Sequence, residues 1–176
     1  MTTLKGNTIY LRALEPEDLE FIYAIENNES VWEVSHTQTP YSRFLIRQYL
    51  ENANQDIYEA KQLRLAICLQ GSFETIGLID LFDFDAQNNR AGVSIVITAA
   101  HRNKGFGKDA LKVLMEHSFK TLALHQLYSN ILEENTASLR LFESVGFEKV
   151  GLKKKWRFYK GRYKNEYLFQ FINHVF

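Results

Sequence analysis

The sequence predicts one mixed α/β domain built on a single, centrally crossed sheet, and three observations carry that prediction. The chain has 176 residues, which against the ~150 of a typical domain leaves room for one fold over residues 1–176. Its 45% hydrophobic and 24% charged residues, with only 9 Gly and 2 Pro, are globular proportions and exclude disordered and collagen-like classes. The hydrophobic period switches between strand and helix spacing in the order β-α-α-β-β-β-α-β-α-β-β, with no repeat or flexible linker to divide it.

Each element has a local reason. Thr8 to Arg12 is β-branched and aromatic and reads as a short strand. Glu15-Pro16-Glu17-Asp18 places a proline and three acids in a first helical turn, where both are tolerated, and Leu19, Ile22 and Ile25 follow at helical spacing. Leu45, Ile46, Tyr49, Leu50 and Ala53 mark a second helix. Arg64 to Leu69, Thr75 to Phe82 and Gly92 to Thr98 are β-rich runs separated by turn residues, an antiparallel meander. A helix then carries Ala110, Leu111, Leu114, Ser118 and Leu122 inward. Leu127 to Leu132 is a strand, Asn135 to Val145 a helix stopped by Gly146, and the chain closes on strands around Tyr159-Lys160-Gly161-Arg162.

Charge balance is zero overall, which argues against a dedicated nucleic-acid binder, but its distribution is uneven. Residues 1–60 carry 10 acids and 4 bases, whereas residues 149–164 carry 8 bases and no acid. This run, interleaved with Trp156, Phe158, Tyr159 and Tyr163, reads as the solvated face of a hairpin that offsets the acidic first third. The lone Cys68 sits in an apolar run and reads as a small core hydrophobe, which excludes a disulfide framework. The five histidines show no pair at metal-ligand spacing, so no metal is expected. No window reaches the ~18 to 20 apolar residues of a membrane span, and the cytoplasm is the default compartment.

The strongest chemical signal is the loop Arg102-Asn103-Lys104-Gly105-Phe106-Gly107-Lys108 between a strand and a helix. Its glycines let backbone approach a ligand, the helix N-terminus offers free N–H groups, and its cations favour a phosphate or pyrophosphate. The spacing is neither that of a P-loop, since Asp109 stands where Ser or Thr belongs, nor that of the dinucleotide fingerprint.

Arg102-x-x-Gly105-x-Gly107, together with Leu11 to Leu19, Glu134-Asn135-Thr136-Ala137-Ser138, Val145-Gly146-Phe147 and Tyr159 to Tyr163, resembles the GNAT superfamily of N-acetyltransferases over nearly the whole length. Within it the sequence is similar to the branch of spermidine and ribosomal-protein-alanine acetyltransferases. The resemblance implies a mostly antiparallel sheet with splayed central strands flanked by helices, and acetyl-CoA as co-substrate. It implies that Ile95, Val96 and Ile97 meet the pantetheine arm, that Arg102 to Lys108 bind the pyrophosphate, and that Asn135, Ser138 and Phe142 lie along the cofactor. Asn135 reads equally as a plain helix N-cap.

Two departures concern catalysis. Phe142 stands where many relatives carry a tyrosine acid, leaving Tyr128 and Tyr167 as substitutes, and Arg90-Ala91-Gly92 replaces an Arg-Ala-Glu stretch that holds a carboxylate in spermidine-type relatives. The base candidates are then Asp80, Asp83, Glu133 and Glu134; Asp80 and Asp83, three apart on a strand, are expected on opposite faces, so that only one reaches the site. Glu29, Trp32, Glu33 and Tyr41 are candidates for holding the acceptor. The expected partner is a small amine or polyamine such as spermidine, with a protein N-terminus or a non-catalytic CoA- or RNA-binding module as rival readings. Edge strands and acidic helices leave room for a homo-oligomer.

Overall fold

The computed structural model describes residues 4–53 and 55–174. An eight-stranded sheet runs β1 (Leu4–Lys5), β2 (Ile9–Ala13), β3 (Leu63–Leu69), β4 (Thr75–Asp85), β5 (Arg90–Ile97), β6 (Gln126–Leu132), β8 (Arg162–Ile172), β7 (Glu148–Tyr159). Every neighbouring pair is antiparallel except β5 and β6, which are parallel and pair only from Arg90–Gln126 to Gly92–Tyr128. Beyond that register the two strands part, and Ser129 Oγ, donating to the Val93 carbonyl at 2.9 Å, marks the point of separation. This is the crossed, splayed sheet expected. The short β1 and the one-turn helices α2 (Trp32–Ser35) and α4 (Ile57–Ala60) lie below the length at which periodicity is visible in sequence.

The strand alternation sorts side chains onto two faces. Leu65, Ile67, Ile79, Leu81 and Val93 pack with Leu111 and Leu114 of α5 (Phe106–Lys120) and Phe142 of α6 (Thr136–Glu143) in the larger core. Leu78 packs on the other face against Ile22 of α1 (Leu19–Glu26) and Ile46 of α3 (Arg43–Glu51). Cys68 is fully buried within β3, as its apolar neighbours predict.

Two polar clips tie the N-terminal elements down. Asp18 receives both Arg12 Nη atoms, at 2.7 and 2.8 Å, and the Glu15 backbone N–H at 2.8 Å, so the acidic turn at Pro16 is a structural anchor. Asp109, in the first turn of α5, accepts from the backbone N–H groups of Asn7, Thr8 and Ile9 and from the Thr8 hydroxyl.

The basic hairpin is not simply a solvated face. Lys153 and Arg157 both bind the buried Glu166, at 2.8 and 3.1 Å, and Lys164 bridges Glu33 and Glu134, at 2.5 and 2.7 Å. Arg157 also donates to the Glu33 carbonyl at 2.8 Å and to His36. Two of the eight cations, Arg157 and Lys164, thus latch β7 and β8 to α2, and Lys153 ties β7 to β8. Trp156, Phe158 and Tyr163 remain exposed.

Candidate active site

A cavity of about 820 Å³ opens where β5 and β6 diverge. On the α6 side it is lined by Ile95, Val96, Ile131, Leu132, Asn135, Ser138 and Phe142; on the α1–α3 side by Glu26, Tyr41, Tyr49, Gln62, Arg64, Asp80, Asp83 and Ser94, with His36, Arg157 and Glu166 between. Among the lining residues four carboxylates face two guanidiniums, a formal excess of two negative charges.

The acidic wall follows from register. Arg64 lies opposite Asp80, and Asp80 opposite Ser94, so three adjacent strands set one row of side chains on the α1–α3 face. Ser94 Oγ donates to Asp80 Oδ2 at 3.0 Å, Arg64 Nε lies 3.1 Å from Asp80 Oδ1, and Arg64 Nη2 reaches Glu26 at 2.6 Å. Burial pushes the Asp80 carboxyl above the usual range, and the neighbouring Arg64 opposes that push. Asp83 reaches the same cavity, contrary to the alternation argument. A bulge between Phe82 and Asp85 shifts the β4–β5 register, and Asp83 adopts φ +47°, which resets the direction of its side chain.

Gly92 explains the missing carboxylate of the Arg-Ala-Glu stretch. A Cβ there would lie 2.3 Å from the Phe82 ring, which fills the space and packs edge-on against Tyr128 at 5.8 Å. Tyr128 itself is not among the cavity-lining residues, and burial, with Asp83 beside it, raises its pKa. Glu134 is turned outward to Lys164, with 69% of its side chain exposed, and Glu133 accepts from Asn165 and from the Tyr167 hydroxyl. Neither acid, nor Tyr167, is among the cavity-lining residues.

Of the expected acceptor contacts, Tyr41 lines the cavity. Glu29 is exposed away from it, Glu33 is held by Lys164, and the Trp32 indole donates to the Glu26 carbonyl at 2.8 Å, supporting the acidic wall from behind. Glu26, Arg64, Tyr49 and Ser94 were not singled out from the sequence. Their signals were weak: an arginine and an aspartate inside apolar strands, and a glutamate at a helix C-terminus, where the helix dipole disfavours it.

The loop before α5 has the expected shape. Asn103 and Gly105 are left-handed, at φ +59° and +85°, and the first N–H groups of α5 point out of the helix. Lys104 and Arg102 fold back, Nζ onto the Ala100 carbonyl and Nε onto the Ile97 carbonyl. Ile97 and Arg102 line a separate hollow with Phe21 and Val96, so their side chains are not brought to the main cavity. Phe106 lies 6.2 Å from the His101 ring, and Lys108 is exposed. Asn135 caps α6, accepting from the Ser138 N–H at 3.2 Å, and also lines the cavity. Phe142 lines it too, but its ring is only 2% exposed and packs edge-on against Phe147.

Residues 8–148 match the family model described as "Acetyltransferase (GNAT) domain". The chain belongs to the GNAT acetyltransferases. Spermidine N(1)-acetyltransferase of Vibrio cholerae is 30% identical over 160 residues, covering 91% of this chain and 90% of that protein. The structure of V. cholerae spermidine N-acetyltransferase with CoA and spermine superposes with TM-score 0.85 at 26% identity, over 93% of this chain and 95% of that one. A dodecameric structure of the V. cholerae enzyme gives 0.76 at 29% identity, over 93% of each. The chain is an N-acetyltransferase that uses acetyl-CoA.

Its residues fit that co-substrate. Past Gly92 β5 is no longer paired with β6, and a Cβ on Gly107 would come within 3.3 Å of Leu141 and 3.8 Å of Ile95, so the glycine lets α5 start in close contact with α6 and β5. Gly107→Val is expected to weaken acetyl-CoA binding at least about tenfold, the scale of a ~1.4 kcal/mol loss, with the fold retained. Calorimetric titration checks this, and unchanged affinity would remove the loop from the site.

Proposed function

We propose that the chain transfers an acetyl group to the primary amine of a small cationic acceptor, a polyamine of the spermidine type, held in the cavity beside Asp80 and Asp83. The observation that carries this reading is the excess of carboxylates in the cavity at the strand divergence, which attracts an ammonium, with the loop before α5 following the same end of β5. Bound acetyl-CoA supplies the thioester carbonyl under attack. An ammonium has an ordinary pKa near 10.4 and must lose a proton before it can act as nucleophile. Asp80, lifted by burial and within the cavity, takes that proton, and Ser94 holds the carboxylate. The backbone N–H of Ile95, on the edge of β5 that faces away from β4, polarises the carbonyl, with Asn135 and Ser138 orienting the arm. Asp83 adds charge that draws a polycation in. The dodecamer of the V. cholerae relative supports a homo-oligomer here.

The leaving thiolate meets Phe142, which has no proton to give. A thiol pKa near 8.5 makes the thiolate a tolerable leaving group, so a donor would help without being essential. Phe142→Tyr is expected to raise kcat a few-fold, less than the ~10² of a fully effective acid; an unchanged kcat would show that departure of the thiolate is not limiting.

The test is acetyl-CoA-dependent thiol release against spermidine, spermine, short diamines, aminoglycosides, free amino acids and an Ala-starting peptide. Polyamine turnover is the expected result. Turnover of the peptide alone would favour a protein N-terminus, and acetyl-CoA binding with every amine silent would favour a binding module.

A further inference from the structure

The row Arg64–Asp80–Ser94 would be complete as a simple ion pair, yet α1 adds a second carboxylate to it. Glu26 takes the closer contact with the guanidinium, 2.6 Å at Nη2, and Asp80 is left with Nε at 3.1 Å. That Nε–H makes no well-aimed hydrogen bond, although the Arg64 side chain is only 19% exposed. The guanidinium is therefore divided: its best hydrogen bond goes to Glu26, and Asp80 receives charge without a donated proton at Oδ1. Ser94 occupies Oδ2, and Gln62 stands off Oδ1 at 3.5 Å. Oδ1 thus faces the cavity with its lone pair weakly used.

We infer that Glu26 and Arg64 are positioning residues that set the basicity of Asp80: Arg64 keeps Asp80 ionised inside the apolar sheet, and Glu26 draws the guanidinium off Oδ1 so that the carboxylate still accepts a proton from the acceptor. Neither residue needs to touch the reacting atoms. The inference rests on the reading of Asp80 as the base. The groups facing Asp80 are Arg64 and Gln62 from β3 and the residue before it, Ser94 from β5, Glu26 from α1 and Tyr49 from α3, whose ring lies 6.0 Å from the guanidinium; Asp83 follows on its own strand. Two of them carry opposite charges with opposite effects on the carboxyl: Glu26 raises its pKa and Arg64 lowers it.

The two substitutions must therefore move the enzyme in opposite directions. In kcat/KM against pH, measured with spermidine at saturating acetyl-CoA, the acid limb reports the base of the free enzyme. Glu26→Gln is expected to shift that limb to lower pH and to cut the plateau kcat about tenfold, because a weaker base drives proton transfer less. Arg64→Gln is expected to shift it to higher pH. Glu26→Asp, which keeps the charge, is expected to retain the parent's limb. A purely structural role would lower activity without moving the limb. Limbs that stay put, or that move the same way in both variants, overturn the inference, as does a Glu26→Gln effect confined to KM, which would place Glu26 on the acceptor itself. Should either single variant fail to fold, Glu26→Gln with Arg64→Gln removes the pair without leaving a net charge, and its limb is expected above the parent's; a limb at or below the parent's overturns the inference. Asp80→Asn separates the two levels. If it remains fully active, the base reading falls; if it is inactive while the Glu26 and Arg64 limbs do not move, only the present inference falls.

Discussion

Asp80→Asn is expected to lower kcat by about 10² to 10⁴, the contribution of a positioned general base, while acetyl-CoA affinity stays at the parent's value. Asparagine is nearly isosteric and can keep the 3.0 Å hydrogen bond from Ser94, so the loss would be chemical. A stability measurement on the same variant sharpens the point. The Asp80 carboxyl is raised by burial, so its folded pKa lies above its unfolded one. Any stability it contributes is present below the unfolded pKa and lost as pH rises through the folded value. At neutral pH the buried charge is then a cost, and the asparagine variant is expected to melt no lower than the parent. A variant that is inactive and destabilised together would assign Asp80 to structure instead. Full activity would pass the role to Asp83, the other carboxylate of β4 in the cavity.

The reason Asp80 could be named from sequence but not singled out lies in what alternation can and cannot predict. A charged residue inside Thr75–Asp85, an otherwise apolar strand, is visible on inspection, and so is the arginine inside Leu63–Leu69. That the two face each other depends on the β3–β4 register, which non-local pairing fixes. That Asp83 shares the cavity with Asp80, where strand alternation puts the two on opposite faces, is not legible because a bulge with a left-handed residue leaves no mark in a chain without glycine at that point. Glu134 and Glu33 looked as available as any exposed acid until the hairpin brought Lys164 between them across 30 residues or more. The loop before α5 was legible because it is local: its glycines, cations and helix start all lie within seven residues. The family resemblance carried the splayed sheet, which no window of the sequence encodes, since β5 and β6 part only beyond Gly92 and Tyr128. It also carried the Arg-Ala-Glu comparison. The structure supplies the physical reason for that departure in the Phe82 ring occupying the place of any side chain at Gly92.

Asp109→Ala is expected to be the most destabilising single substitution outside the apolar core, at about 3 kcal/mol, and to lower Tm by roughly 6–12 °C at this chain length. One carboxylate satisfies three successive backbone N–H groups, of Asn7, Thr8 and Ile9, at 3.0, 2.7 and 3.2 Å, and the Thr8 hydroxyl at 2.9 Å. Hydrogen bonds to a charged group contribute about 1.5–3 kcal/mol each in isolation; here they share one acceptor, so the total is well below their sum. The chain is shaped around the contact. Gly6 admits it, since a Cβ there would lie 2.6 Å from Asp109 Oδ1, and Gly6→Ala is expected to reproduce part of the loss. Burial raises the Asp109 carboxyl, but the hydrogen bonds from Thr8, Asn7 and Ile9 outweigh it and hold the pKa below the ordinary value. With the folded pKa depressed, this stability is fully present above the unfolded value near 3.9 and is lost as pH falls through the folded one. The difference in Tm between parent and Asp109→Ala should therefore be constant at neutral pH and shrink below about pH 4. A difference that persists unchanged in strong acid would mean that the variant fails for reasons of packing, and an absent difference at neutral pH would mean that β2 is held to α5 by its apolar residues Ile9 and Leu11 alone.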